Sequence, residues 1–110
     1  MKLDINQMYA TIKKVNNCKK LNNFDFKILD IFLKQRKYNI KFIDFNSCLQ
    51  ISQLYDFKSE NKIKWLLVAK EKHNITIENI YLNMLYYNIG KYYYYHNIFD
   101  FSFENFNNAI

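Results

Sequence analysis

Few residues in this sequence have the chemistry of a catalytic or metal-binding group. Neither His73 nor His96 is followed by a second histidine or a cysteine at the i+3 or i+4 spacing of a helical metal site. Cys18 and Cys48 lie at no metal-ligand spacing. A chain with one glycine cannot form a glycine-rich phosphate loop. The sequence therefore predicts a protein that is not an enzyme and that needs no metal or cofactor.

Two weaker arrangements of residues would be compatible with catalysis. Cys48 and a distant histidine would suit a nucleophile and its base, and Asp100 and Glu104 would suit an acid and a base on one side of a turn. No local motif supports either pair, and a buried structural cysteine is the commoner outcome. We expect Cys18 and Cys48 to be two buried, reduced thiols, which favours a cytoplasmic location.

The composition indicates a very AT-rich genome. Asn, Lys, Ile, Tyr and Phe make up 65 of the 110 residues, whereas Pro, Gly, Ala and Arg total 0, 1, 3 and 1. Lysine and tyrosine are therefore abundant partly for reasons of codon usage. The usual inference from a basic, aromatic chain to nucleic-acid binding is weakened accordingly.

The positive charge is concentrated in the first half of the chain. Residues 1–41 hold ten Lys or Arg against three Asp, a net charge of +7, whereas residues 42–110 hold six against seven acids, a net charge of −1. Lys13, Lys14, Lys19 and Lys20 form the first basic cluster. A surface of one sign attracts nucleic acid or an acidic partner without specifying which.

The fold is predicted to be mainly α, with about five helices in a single domain spanning residues 1–110. The segment 76–89 is apolar on nearly every side of a helical wheel, which predicts a central helix surrounded by the others. Amphipathic periodicity and capping residues predict the surrounding helices. These are expected from Asp4, from Asn23 to about Lys37, over Ser47 to Tyr55, and from Glu60 to His73 with a Ser59 cap.

Two segments are ambiguous between helix and strand. Gly90 favours termination of the central helix, and the aromatic run and strictly alternating phenylalanines of 92–103 favour extended structure. A short two-stranded element pairing 39–45 with 92–103 is therefore one prediction. The alternative is that the helix continues and that Gly90 allows close packing. The interrupted apolar run of this region predicts no membrane span.

The helices expected at Ser47–Tyr55 and Ser59–His73 resemble a helix-turn-helix. The resemblance covers about 27 residues and implies that Lys62 and Lys64 face a major groove, with the amino-terminal lysines adding phosphate contacts. The sequence departs from the pattern because Asp56 replaces the usual turn glycine and Lys62 occupies a position that is normally apolar. An ordinary helical hairpin with a solvated lysine face is the competing interpretation.

Tyr92, Tyr93, Tyr94 and Tyr95 are the candidate partner-binding residues. Tyrosine supplies a large amphipathic contact area at small entropic cost. In a strand, Tyr93 and Tyr95 would face away from Tyr92 and Tyr94, so that one pair is exposed.

The leading hypothesis is a non-catalytic inhibitor or accessory factor, of phage, mobile-element or reduced-genome type, that binds a protein or nucleoprotein. The alternatives are a DNA- or RNA-binding regulator and a self-assembling subunit, such as a homodimer.

Overall fold

The computed structural model describes residues 5–34, 43–72 and 78–109, and every regular element in them is an α-helix. The six helices are α1 (Ile5–Asn16), α2 (Asn23–Lys34), α3 (Phe45–Ser52), α4 (Glu60–Glu71), α5 (Asn79–Tyr95) and α6 (Phe99–Asn108). The prediction of a mainly α fold is confirmed, and the described residues hold one helix more than the five expected. None of these helices is long and apolar enough to cross a membrane.

The main hydrophobic core is built from the first five helices. The α4 helix contributes Trp65, Leu66, Val68 and Ala69, all essentially without exposed surface. Other fully buried side chains come from each neighbouring helix: Met8 in α1, Ile28, Leu29 and Phe32 in α2, Cys48, Leu49 and Ile51 in α3, and Leu85 and Ile89 in α5. The rings of Phe32 and Trp65 meet edge to face with centroids 6.2 Å apart, a favoured aromatic geometry.

Polar residues fix where the helices begin. The Asn22 side chain accepts a hydrogen bond from the Asp25 amide at 2.9 Å, and the Asp25 carboxylate accepts one from the Asn22 amide at 3.0 Å. This reciprocal pair caps α2 one residue before the predicted Asn23. Asp44 caps α3 through the Ser47 amide, and Ser59 caps α4 through the Asn61 amide, as the sequence predicted for Ser59.

The predicted central helix exists, but it is displaced along the chain and only partly buried. It spans Asn79–Tyr95, so it passes through Gly90, while the expected start at Thr76 lies outside the described residues. Leu85, Ile89, Gly90 and Tyr92 are its buried residues. One side of α5 packs on α4 and another on α6, and the remaining side faces solvent. The expectation of burial all round is therefore wrong.

Of the two predictions for 92–103, strand structure is wrong, and the alternative that the helix continues with Gly90 allowing close packing is confirmed. Tyr92–Tyr95 form the last turn of α5, and the alternating phenylalanines lie in α6. A tight turn joins the two helices, with Asn97 in the left-handed region at φ 62°. The Ser102 hydroxyl donates to the Gly90 carbonyl at 2.9 Å, so the helices approach closely at the one residue that lacks a Cβ. Of the proposed partner strand, 39–42 lie outside the described residues, and Phe45 begins α3.

Candidate partner-binding site

The α6 helix packs on α5 through Ser102, Asn105 and Phe106 and leaves its other three phenylalanines exposed. Its buried residues are polar, Ser102 and Asn105, and both lie on one helical face at i and i+3. Phe99, Phe101 and Phe103 are instead 45%, 55% and 56% exposed. A helix that buries hydroxyl and amide groups while exposing three phenylalanines leaves most of its apolar surface available for another molecule.

The exposed aromatic residues gather where α5 turns into α6. We call this surface the aromatic tip and define it as Tyr94, Tyr95, Ile98, Phe99 and Phe101. Tyr94 and Phe99 contact edge to face with centroids 5.5 Å apart, and Phe103 stacks on Phe99 at 6.3 Å. A shallow cleft of about 470 Å³ runs between Asn97, Ile98, Phe99, Asp100 and Phe101. The tip thus offers both projecting rings and a concave surface between them.

In the helix, the four candidate tyrosines divide into buried and exposed side chains differently from the division expected for a strand. Tyr92 is buried with its ring 4.3 Å from His96, and Tyr93 is half-buried against Phe101 at 5.5 Å. Tyr94 and Tyr95 are the exposed members. The exposed pair is consecutive rather than alternating, because successive helical residues are 100° apart whereas successive strand residues are 180° apart. The alternation expected between Tyr92/Tyr94 and Tyr93/Tyr95 is wrong.

Contacts with the turn between α3 and α4 hold the tip in place. The His96 ring nitrogen Nε2 lies 2.6 Å from the Phe57 carbonyl, which requires that nitrogen to carry the proton and donate. The ammonium groups of Lys62 and Lys91 lie over the Phe57 ring, 4.6 and 5.0 Å from its centroid. The carboxyl end of α5 is therefore fixed to the body of the protein by the His96 hydrogen bond and the Lys91 cation–π contact, whereas Lys62 contacts Phe57 from α4.

Two exposed acids, Asp100 and Glu104, lie at and beside the tip, whereas Lys91, the only lysine or arginine among residues 78–109, holds its ammonium over the Phe57 ring. Asp100 lines the cleft of the tip, and Glu104 is one turn farther along α6. A surface of this kind attracts a partner whose apolar side chains are flanked by lysine or arginine.

The two helices that resembled a helix-turn-helix do not present their lysines as that motif requires. Lys62 is only 4% exposed, and its ammonium donates to the carbonyls of Ser52 and Tyr55, both at 3.0 Å. Burial, with a smaller contribution from Lys91, lowers the pKa of Lys62. Asn61 donates to the Asp30 carboxylate at 3.1 Å, while Lys64 is exposed. Lys62 therefore faces the interior of the protein, as does the apolar residue that normally occupies this position in a helix-turn-helix.

The amino-terminal lysines divide into one paired and three unpaired side chains. Lys14 forms a bidentate contact with the buried Asp25 carboxylate at 3.1 and 3.2 Å. Lys13, Lys19 and Lys20 are exposed and make no ion pair with any residue that the structure describes. These three, and not Lys14, are the freely available positive charges of the first basic cluster.

The cysteines occupy two different environments. Cys48 is fully buried, as expected, and burial raises the pKa of its thiol to about 12. Cys18 is exposed, contrary to expectation, in the turn after α1 with φ 55°.

Across residues 5–34, 43–72 and 78–109, no group of His, Cys, Asp and Glu is arranged to hold a metal ion. His73 lies outside these ranges, whereas His96 serves the contact with Phe57.

Sequence reasoning missed Ile98, Phe99 and Phe101 as members of the site. The available signal was the helical spacing of Ser102 and Asn105, which places polar residues on the face that the phenylalanines leave free.

A scan against models of known protein families gives no match, and comparisons with curated proteins and with solved structures give none either.

Proposed function

We propose that this chain is a small non-catalytic binding protein, an inhibitor or accessory factor, that engages a protein or nucleoprotein through its aromatic tip. The observation that carries the proposal is the arrangement of α6, which buries Ser102 and Asn105 and exposes Phe99, Phe101 and Phe103. Leaving three phenylalanines in water is unfavourable, and covering them recovers about 25 cal/mol for each Å² of apolar surface.

The tip has the composition of a binding hot spot. Aromatic side chains dominate such sites because they bury a large area with few rotatable bonds. Tyr94 and Phe99 already contact each other, and the His96 and Lys91 contacts with Phe57 hold the turn that carries them. Preorganisation of this kind reduces the conformational entropy lost on binding.

The charge around the tip specifies the partner further. Asp100 and Glu104 favour a partner segment that places lysine or arginine beside its apolar side chains, for instance an amphipathic helix with a basic polar face. A segment with an acidic polar face would meet like charges at the same position. Partner selection is therefore expected to depend on the sign of the charge and on the aromatic contacts together.

A fluorescence anisotropy experiment with two synthetic peptides tests this proposal. Both are amphipathic helices with leucine on one face, and the polar face carries lysine in one peptide and glutamate in the other. We expect the lysine peptide to bind at least about tenfold more tightly, since 1.4 kcal/mol corresponds to a factor of ten. Phe101→Ala should weaken its binding by about the same factor, as truncation of a hot-spot residue does.

Phe24→Ala is the matched control, because Phe24 is also an exposed phenylalanine but lies at the start of α2. It should leave the affinity unchanged. Equal affinity for the two peptides, or equal loss in Phe101→Ala and Phe24→Ala, would show that binding is non-specific and that the tip is not the site.

A second candidate function, binding of a nucleic-acid backbone, is favoured by one observation. Lys13, Lys19 and Lys20 project from α1 and the α1–α2 connection without described acidic partners. The buried Lys62 argues against the groove-reading arrangement, so this candidate is backbone contact through phosphate and not base readout.

A further inference from the structure

The amino-terminal half of α5 carries a second exposed apolar surface, distinct from the tip. We call it the hairpin base and define it as Ile80, Asn83, Met84, Tyr87, Asn88 and Ala109, which line a shallow cleft of about 470 Å³. Ile80, Met84 and Tyr87 are 61%, 38% and 52% exposed. Ile80 and Ile98 are 18 residues apart, and a helix rises 1.5 Å per residue, so base and tip lie roughly 25 Å apart along the hairpin.

We propose that the hairpin base is the surface on which a second copy of this chain packs. A two-fold axis would place the first half of α5 in one copy against the same segment in the other. Ile80, Met84 and Tyr87 recur at i, i+4 and i+7, the spacing with which two helices interdigitate their side chains. The proposal concerns a surface separate from the tip and does not depend on the partner proposed there.

The absence of charge at the base selects a second copy as its occupant. In a two-fold interface each residue meets the same patch of the other subunit, so a patch with a net charge repels itself. All six residues of the base are uncharged. The tip has the opposite property, because Asp100 and Glu104 would face their own copies across such an axis.

The apolar side chains of the base line one shallow cleft. Ile80, Met84 and Tyr87 of α5 line it together with Ala109, which follows α6. A two-fold axis brings these side chains of one copy against those of the other. Asn83 and Asn88 add amide groups to the same cleft without introducing charge.

The size of the base predicts a reversible dimer. Its exposed side chains amount to on the order of 500 Å² per copy, less than the roughly 800 Å² per partner of a standard interface. We therefore expect dissociation on dilution, with monomer and dimer in exchange, and not an obligate dimer that requires its partner to fold.

Sedimentation velocity over a wide range of protein concentration tests the proposal. The mass of the full chain should rise from monomer towards dimer, and Ile80→Glu should remain monomeric at every concentration. Ile98→Glu is the matched control, since it makes the same substitution at an exposed isoleucine of the tip and should dimerise as the wild type does. Circular dichroism of each variant shows that the helices are retained.

Two further variants make the outcome decisive. If Ile80→Glu does not fold, Asn83→Arg replaces it, because it puts like charges across the axis at an exposed position. Met84→Cys in a Cys18→Ser background should form a covalent dimer on mild oxidation if the axis passes close to α5. A monomeric wild type at the highest soluble concentration would overturn the proposal. So would dimerisation that persists in both Ile80→Glu and Asn83→Arg, or that is lost in Ile98→Glu.

Discussion

At the scale of single residues, Lys62 and Lys64 show how position decides what a lysine does. Both lie in α4, two residues apart, but Lys64 is exposed whereas the Lys62 ammonium donates to two backbone carbonyls at the end of α3. Those carbonyls belong to Ser52, the last residue of helix α3, and to Tyr55 in the turn that follows. Lys62 thus serves as an internal cap that joins α3 to α4.

Replacement of each lysine by methionine tests this difference. Lys62→Met keeps the length of the side chain but leaves the Ser52 and Tyr55 carbonyls without that donor, and should lower the free energy of unfolding by about 2 kcal/mol. Lys64→Met should change it by less than about 0.5 kcal/mol, as most surface substitutions do. Urea denaturation measures both. Equal stability of the two variants would contradict the capping role.

The sequence contained a signal for the burial of Lys62, although its charge pointed the other way. In the helix-turn-helix pattern that the segment resembles, the position of Lys62 is normally apolar, and this is the position that faces the preceding helix. A lysine there could be predicted to turn inward only if its acceptors were known. Those acceptors are backbone carbonyls at the end of α3 and in the turn after it, which no pattern of side chains reveals.

At the scale of elements, Gly90 determines how closely α5 and α6 approach. A Cβ atom at this position would lie 2.7 Å from Phe106 Cδ1 and 3.0 Å from the Ser102 carbonyl oxygen, both closer than normal contact. The Ser102 hydroxyl also bonds to the Gly90 carbonyl. Gly90 is therefore suited to this place inside the helix by the space that it leaves for Ser102 and Phe106, and not by its backbone freedom.

Gly90→Ala should destabilise the protein despite the higher helix propensity of alanine. Alanine gains about 1 kcal/mol inside a helix, whereas overpacking typically costs 1–3 kcal/mol. The expected net loss is about 1 kcal/mol in the free energy of unfolding, measured by urea denaturation. Phe106→Leu combined with Gly90→Ala should recover part of that loss through double-mutant coupling. A stabilised Gly90→Ala variant would show that α6 moves away freely.

The helix-terminating signal of Gly90 and the aromatic sequence after it account for the wrong strand prediction in 92–103. Aromatic residues favour strands by local propensity, and alternation of phenylalanine with other residues is the pattern of a half-buried strand. Tertiary packing decides otherwise, because Gly90 accommodates Ser102 and Phe106 of the returning helix. The amphipathic helices α1 and α2 were predictable because their apolar spacing agrees with their burial.

At the scale of the whole molecule, charge and exposed aromatic surface lie in different parts of the chain. Residues 5–34 contain six lysines, and their two aspartates, Asp25 and Asp30, are bonded to Lys14 and Asn61. Residues 78–109 contain three acids and one lysine. The sequence predicted this asymmetry of charge, but the exposure of the phenylalanines depends on how α6 packs. A polyanion and an aromatic-binding partner would thus be attracted to different surfaces.

The lysines of the first basic cluster provide the test of this separation. Substitution of Lys13, Lys19 and Lys20 by glutamine should weaken binding of a random DNA duplex at low salt, because three exposed positive charges are lost. It should also reduce the slope of log affinity against log salt by up to about 2.7, at roughly 0.9 for each phosphate contact with duplex DNA. Anisotropy titrations at several salt concentrations measure both quantities.

A second triple variant removes the same charge elsewhere. Lys58, Lys64 and Lys70 are also exposed, and their substitution by glutamine leaves the first basic cluster intact. If the cluster is the anion-binding surface, this control should retain most of the affinity and of the salt slope. Equal losses in the two triple variants would mean that net charge alone attracts the duplex, with no preferred surface. Binding of the lysine peptide at the aromatic tip should survive removal of the first cluster, because none of its lysines belongs to the tip.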